Sequence, residues 1–372
     1  MTEAASNPQP TLDALKPGRP MILTGDAASR GWGQSTGEPQ LGPAVFGAVM
    51  GRMETAGEAV SRAADYLAAQ WAFMGEHAPG QLAQVRGIAE GYGIGAQDLF
   101  AYLHLGLIED ADGGPRTEED GCSVVACRAA GSGPVLAKNR DYRGEHRALQ
   151  RVFLESDPAW GGRYILSVGS LGSPGAFSSG MNSDGLALAD TRIGWRRPGV
   201  GWLRYLLMNE ILIRAGTVVE ALAFIESQPH AGGGSLLLMD AAGRAATVEL
   251  GTGKIHSRAV GQAGIGHTNH FLDPNLWAGQ TRSPNDPDAS NSRGRLVHIE
   301  NWIEDSKSEQ PALEDVAALM ASHDEGERPA LCRHGDADGS ETISTTVFAC
   351  ASRRLYFCPG NPCTGDWRLY AF

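Results

Sequence analysis

No stretch of the chain approaches the roughly 20 consecutive apolar residues that a membrane-spanning helix needs. The first twenty residues, MTEAASNPQPTLDALKPGRP, also lack the basic segment and following apolar stretch of a secretion signal. A cytoplasmic protein is the expectation. Basic runs are missing as well: 31 Lys and Arg are scattered among 43 Asp and Glu, and the formal net charge of −12 repels phosphate backbones and anionic membranes. Neither nucleic acid nor a membrane is an expected partner. No internal repeat recurs at a fixed period, which disfavours a solenoid. The six cysteines, Cys122, Cys127, Cys332, Cys350, Cys358 and Cys363, show no C-x-x-C spacing and no paired-histidine motif, so a zinc site has little support in the sequence. Three disulfides are arithmetically open, but without an export signal free thiols are favoured. The run GSLGSPG at 169–175 lacks the lysine-threonine ending and following helix of a phosphate loop. No metal and no cofactor is expected.

What is present is 372 residues, 42% of them hydrophobic, enough to bury a large core, together with 49 Gly and 20 Pro that imply many turns. Residues 20–25 (PMILTG) read as a short strand leading into a glycine-rich stretch at 31–37. Apolar residues from Phe46 through Val60 and Trp71 to Met74 recur at threes and fours, which predicts one long helix, and two more follow over 82–89 and 99–107. The first 110 residues should be mostly helical. Residues 111–120 (ADGGPRTEED) form a polar, acidic break suited to an exposed segment. Beyond it the period becomes two, with strands expected at 122–128, 135–138, 151–155, 163–168 and 185–189. Helical patterns return at 202–215 and 217–227, the second with Thr217 and Glu220 at capping-box spacing. Strands at 235–240 and 245–250, helices at 293–303 and 313–322, and strands at 343–350, 353–358 and 367–372 complete the chain. This order predicts an α+β fold, two sheets with helices on their outer faces in four αββα layers.

One cysteine stands apart. Cys122 opens a strand directly after an exposed acidic segment and a glycine. Glycine at 121 suits a thiol attack on the preceding carbonyl, because the peptide must adopt conformations that a Cβ hinders. Hydrolysis of the resulting thioester would free Cys122 as a new N-terminus. Its α-amino group, with an ordinary pKa of about 7.7 to 8.0, could then serve the thiol as a base without any histidine. The bland alternative is a small residue packed in a buried strand.

The company of Cys122 argues for chemistry. Asp120-Gly121-Cys122-Ser123, Lys138-Asn139-Arg140-Asp141-Tyr142, Gly180-Met181-Asn182-Ser183-Asp184-Gly185-Leu186, His267-Thr268-Asn269-His270-Phe271, Asn291-Ser292-Arg293 and Cys358-Pro359-Gly360-Asn361-Pro362-Cys363 follow one another in order. This series resembles the isopenicillin N acyltransferase family and, more distantly, the choloylglycine hydrolases and penicillin V acylases, over about residues 20 to 372. The resemblance implies an αββα N-terminal-nucleophile hydrolase that cleaves itself between Gly121 and Cys122. It divides one structural domain into a mainly helical propeptide or α chain, 1–121, and a catalytic β chain, 122–372, which stay associated. It also implies roles: Cys122 as nucleophile, Asp141 holding the new amino terminus, Asn269 stabilising the oxyanion, and Arg293 positioning catalytic groups or substrate, with Arg295 as a rival for that last place. Lys138 or Arg140 would tune the thiol. Asn182 and Arg192 are candidates for substrate contact, Arg192 for a substrate carboxylate.

The expected activity is hydrolysis or transfer of acyl groups at linear amides through an acyl-Cys122 thioester. Substrates would be small amides such as N-acyl amino acids or β-lactam-like molecules, with acyl-coenzyme A as a further possible donor for N-acyl transfer. Two other classes compete. An unprocessed cysteine peptidase would use His267 or His334 as base and stay in one piece, whereas a non-catalytic binding protein would have no use for Cys122 and Asp141.

Overall fold

The computed structural model describes residues 12, 15–113, 121–260, 264–282, 290–307, 310–324, 329–335 and 340–372. Residues 114–120, including Asp120 and most of the expected acidic break, lie outside them.

Two sheets form the centre. The larger has eight strands in the order β1 (Met21–Thr24), β4 (Gln150–Ser156), β5 (Tyr164–Ser170), β6 (Ser179–Asn182), β7 (Ala187–Thr191), β8 (Ser235–Met239), β9 (Ala245–Gly251) and β10 (Lys254–Val260). The smaller runs β11 (Ile265–His267), β2 (Ser123–Ala129), β3 (Gly133–Arg143), β12 (Ser340–Ala349), β13 (Arg354–Pro359) and β14 (Arg368–Ala371). All these pairings are antiparallel except that of β1 with β4.

Strand periodicity explains the layering. Side chains alternate between the faces of a strand, so a strand buried on both faces contributes to two cores. On β2, Val124 and Ala126 join Leu136, Leu166, Val168 and Leu237 in the core between the sheets. Val125 and Cys127 turn the other way, onto Ile299 of α9 (Ser290–Asp305) and Val316 and Met320 of α10 (Leu313–Met320). Likewise Leu236 and Leu238 of β8 leave Leu237 behind and meet the helices on the outer face of the larger sheet. The four αββα layers follow directly.

The helical layer over the larger sheet comprises α1 (Ala27–Gly37), α2 (Gly42–Thr55), α3 (Gly57–Arg62), α4 (Ala64–His77), α5 (Pro79–Tyr92), α6 (Ala96–Asp112), α7 (Arg204–Arg214) and α8 (Val218–Glu226). Two expectations fail here. The single long helix over 46–74 is three, interrupted at Ala56 and Ala63, and Phe46 at one end of the expected stripe is 44% exposed. The glycine-rich stretch at 31–37 is helix α1, and its glycines serve close packing. A Cβ on Gly31 would strike the backbone of α5 at Gln84, one on Gly87 the carbonyl of Ala28, and one on Gly91 would lie 2.5 Å from Ser35 Oγ. Strands β6, β10 and β11 went unpredicted because each is short or polar.

No helix among the described residues is long and apolar enough to cross a membrane.

Candidate functional site

Three neighbouring strands of the smaller sheet bring the site together. Cys122 precedes β2, and the register Ser123↔Asn139 sets it beside the C-terminal end of β3, where Asp141 lies opposite Thr342 of β12. On the other side, β11 pairs with β2 through His267↔Val124, so Asn269, two residues on, comes to the same end. Helix α9 supplies Arg295.

Arg295 is the hub. Its Nη1 donates to the Cys122 carbonyl and to Ser123 Oγ, both at 2.8 Å, Nη2 donates to Asn269 Oδ1 at 3.0 Å, and Nε to Asn291 Oδ1 at 2.8 Å. Burial lowers its pKa to about 10; the nearby Asp141 and Cys122 oppose that shift, and Arg333 adds to it. Arg293, the first choice for that role, lies half-buried on the same helix, and the network above belongs to its rival Arg295. Two helical residues apart means about 200° of rotation, so the two arginines face different surroundings. Only the helical phase distinguishes them.

Asp141 is fully buried. Its Oδ1 accepts from Thr342 Oγ1 at 2.7 Å, while Oδ2 accepts no hydrogen bond among the described residues. That oxygen lies against the residue before Cys122: a Cβ placed on Gly121 would sit 2.6 Å from Asp141 Oδ2 and 2.8 Å from Arg333 Nη1. Glycine at 121 is therefore a matter of close approach. Its φ is not among the positive values found at other glycines.

Cys122, Asp141 and Asn269 line one cleft of ≈ 270 Å³, roofed by α6 and the loops after β5 and β7. Seven arginines and lysines line it against four carboxylates, although the chain as a whole is acidic. Most of these charges have partners. Lys138 donates to Asp190 Oδ1 at 2.5 Å, and Arg204 Nε donates to Asp190 Oδ2 at 2.7 Å. Burial opposes ionisation of Asp190, yet these two cations hold its pKa below the ordinary value. Arg192 pairs with Asp110 at 2.9 Å, while its carbonyl accepts from Asn269 Nδ2 at 2.9 Å. Arg140 differs. It donates to the neutral Gln150 Oε1 at 2.9 Å and Ser170 Oγ at 3.3 Å, lies near the rings of Tyr142 and Phe177, and has no carboxylate partner among the described residues. Lys138 and Arg140 point toward the larger sheet whereas Asn139 faces α10, as alternation along β3 requires.

Asn182 does not reach the cleft. Its amide donates to the carbonyls of Leu212 and Ala215 at the end of α7, and its oxygen accepts from the backbone of Asp184 and Leu186. All its capacity goes to closing a helix end and a turn, which corrects its candidacy for substrate contact. The histidines offered as peptidase bases are placed elsewhere. His267 lies 2.9 Å from Glu249 and also meets Ser235, and His334 lies beside Cys363. Burial, with the charges of His267 and Arg295, lowers the pKa of His270 to about 4, and its Nδ1 meets Ser292 Oγ. Neither His267 nor His334 lines the cleft.

All six cysteines are free thiols. Linear spacing hid one grouping: His323, Cys332, His334 and Cys363 come together in space.

The chain is similar to several known proteins. Penicillin V acylase from Agrobacterium tumefaciens is 16% identical, with 64% of this chain and 83% of that one covered and a TM-score of 0.41. An arginine-to-leucine variant of conjugated bile acid hydrolase from Clostridium perfringens is 11% identical over 68% of this chain and 97% of that one, with a TM-score of 0.44. A cysteine-to-alanine mutant of the same hydrolase gives 12% identity, the same coverage and a TM-score of 0.40. No curated protein sequence matches. The family model of acyl-coenzyme A:6-aminopenicillanic acid acyl-transferase matches residues 128–364, beginning six residues after Cys122 and spanning more than half the chain, and the protein belongs to that family of amide-directed hydrolases and acyltransferases.

Proposed function

We propose that the chain cuts itself between Gly121 and Cys122 and that the freed Cys122 then works as an N-terminal nucleophile on small amides carrying an anionic group. The observation that carries the reading is Asp141 Oδ2, a buried carboxylate oxygen with no donor among the described residues, set against the Gly121–Cys122 junction. A buried charged acceptor left unmatched is costly, and an α-ammonium created at Cys122 would supply the missing donor and an opposite charge.

The steps balance without a cofactor. Cys122 Sγ attacks the Gly121 carbonyl, the peptide C–N bond breaks to leave a thioester and a free amine, and one water hydrolyses the thioester to a Gly121 carboxylate. In turnover, the Cys122 amine takes the thiol proton and sulfur adds to the substrate carbonyl. The oxyanion is stabilised by Asn269, whose orientation Arg295 fixes through its oxygen. The leaving amine departs with the proton, and water or an acceptor amine cleaves the acyl-Cys122 thioester. Residues 1–121 remain attached as an α chain, because β1 and six helices are built into the larger sheet and its cover.

Arg140 narrows the substrate. A buried guanidinium with only neutral partners facing the cleft favours a carboxylate or similar anion, as in N-acyl amino acids. The cationic lining also favours a second reading, in which a coenzyme A thioester is the acyl donor and its phosphates meet Arg52, Arg196 and Arg282. Acylation of Cys122 in a single turnover, from an amide or from a thioester, separates the two.

The first test is intact mass and N-terminal sequencing of freshly folded protein. Two chains meeting at residues 121 and 122 are expected, with Cys122→Ala remaining full length and Gly121→Ala cleaving at least about tenfold more slowly, a barrier of about 1.4 kcal/mol. Active enzyme with that bond whole overturns the mechanism.

A further inference from the structure

Outside the residues that line the cleft lies the four-residue cluster that linear spacing concealed. His323, Cys332 and His334 lie in the connection between α10 and β12, and Cys363 sits in the turn Pro362–Thr364 after β13. The atoms that face one another are all metal-ligand atoms. His323 Nε2 and His334 Nε2 are 3.1 Å apart, Cys332 Sγ and Cys363 Sγ 3.6 Å, Cys363 Sγ and His334 Nε2 3.2 Å, and Cys332 Sγ and His334 Nε2 3.7 Å. All four ligand atoms lie within 4.8 Å of one another.

These four separations match edges of a small tetrahedron, and the two remaining ones, from His323 to the sulfurs, fall within 4.8 Å. With Zn–S of about 2.3 Å and Zn–N of about 2.0 to 2.1 Å, tetrahedral edges are about 3.8 Å for S–S, 3.3 Å for N–N and 3.6 Å for S–N. A disulfide needs sulfurs about 2.05 Å apart, far closer than these two. Two sulfurs and two imidazole nitrogens suit zinc and disfavour magnesium or calcium, which take oxygen ligands. Asn361 adds an outer contact, its Nδ2 lying 3.6 Å from Cys332 Sγ as a donor to a thiolate would.

We propose that His323, Cys332, His334 and Cys363 hold a structural zinc ion that clasps the loop after α10 to the turn after β13. The two thiols give up their protons on binding, and the dication with two thiolates and two neutral imidazoles is a neutral centre. The clasp has a consequence for the neighbouring cleft, since Cys332 and His334 flank Arg333. The Arg333 backbone N–H donates to Thr342 Oγ1 at 2.9 Å, Thr342 Oγ1 donates to Asp141 Oδ1, and the Arg333 carbonyl accepts from Asn361 Nδ2 at 2.5 Å. Zinc on both sides of Arg333 holds that loop against the residue paired with the nucleophile.

The test uses full-length protein, made with zinc supplied and purified under reducing conditions without chelator. Elemental analysis is expected to find about one zinc per chain. Exchange for cobalt should give the visible absorption of a tetrahedral centre with two sulfur and two nitrogen ligands. Cys363→Ser and His323→Ala should each lose the stoichiometric metal and the cobalt spectrum, and chelation of the unsubstituted protein should lower its Tm until zinc is restored. Folded protein that takes up no zinc above background overturns the proposal, as does an octahedral cobalt spectrum or a Cys332–Cys363 disulfide under reducing conditions. The measurements on unsubstituted protein stand even if a variant fails to fold.

Discussion

Burial pushes the Asp141 carboxyl up to about 6, against the opposing charge of Arg295 and the hydrogen bond from Thr342. A carboxyl whose folded pKa exceeds its unfolded value of 3.8 contributes stability that is complete below 3.8 and is lost as pH rises through about 6. An uncleavable Cys122→Ala chain should therefore become more stable between pH 7 and pH 5, by an amount on the order of 2 kcal/mol at most. Adding Asp141→Asn should flatten that part of the profile, as thermal melts across the range will show. A profile that keeps its full slope without Asp141 would remove the carboxyl from the explanation. At this scale the site was partly legible. Cys122, Asp141 and Asn269 sit in motifs whose order survives in the linear sequence, and the fold gathers them at one end of three adjacent strands. Arg293 and Arg295 look equivalent until the phase of α9 is known. Asn182 has the polar character of a site residue, but the backbone of a helix end and a turn consumes its hydrogen bonds.

Among elements, strands with strong alternation were read more faithfully than short or polar strands and closely spaced helices. Alternating strands such as β2 announce two buried faces, whereas spacings of three and four in residues 46–74 persist through α2, α3 and α4 and conceal the two interruptions. The glycines of α1 misled for a physical reason: glycine marks a turn in isolation and a close helix crossing in context. Gly87→Ala tests this, because its Cβ would meet the carbonyl of Ala28 and should cost about 1 to 3 kcal/mol. Gly75→Ala in α4, where the nearest atom is Leu82 Cδ2 at 3.9 Å, should instead stabilise by roughly 0.5 to 1 kcal/mol. Denaturant melts of the two variants should move in opposite directions. The cluster of His323, Cys332, His334 and Cys363 was invisible for a related reason: its members come from two connections, one between α10 and β12 and one after β13, that only tertiary folding brings together.

Over the whole molecule, charge is divided unevenly. The chain carries a formal charge of −12, yet the cleft is lined by more cations than carboxylates. An anionic substrate is repelled at a distance and attracted near the site, and salt screens the two effects on different length scales. With Arg140 as the anion's partner, Arg140→Gln should raise KM for an N-acyl amino acid at least tenfold and leave KM for the corresponding neutral amide within about twofold, a difference of about 1.4 kcal/mol. Steady-state kinetics on the matched pair decides it, and equal losses on both would sink the assignment.

The parallel pairing of β1 with β4 bears on how such an enzyme can be made. Starting a recombinant chain at Cys122 would install the amine directly, but it would strip an edge strand and six helices from the larger sheet and bare a wide oily surface. That product should aggregate on synthesis, and pelleting against the full-length control checks it. The proposed self-scission would unmask the nucleophile only after the scaffold that shelters it is already assembled.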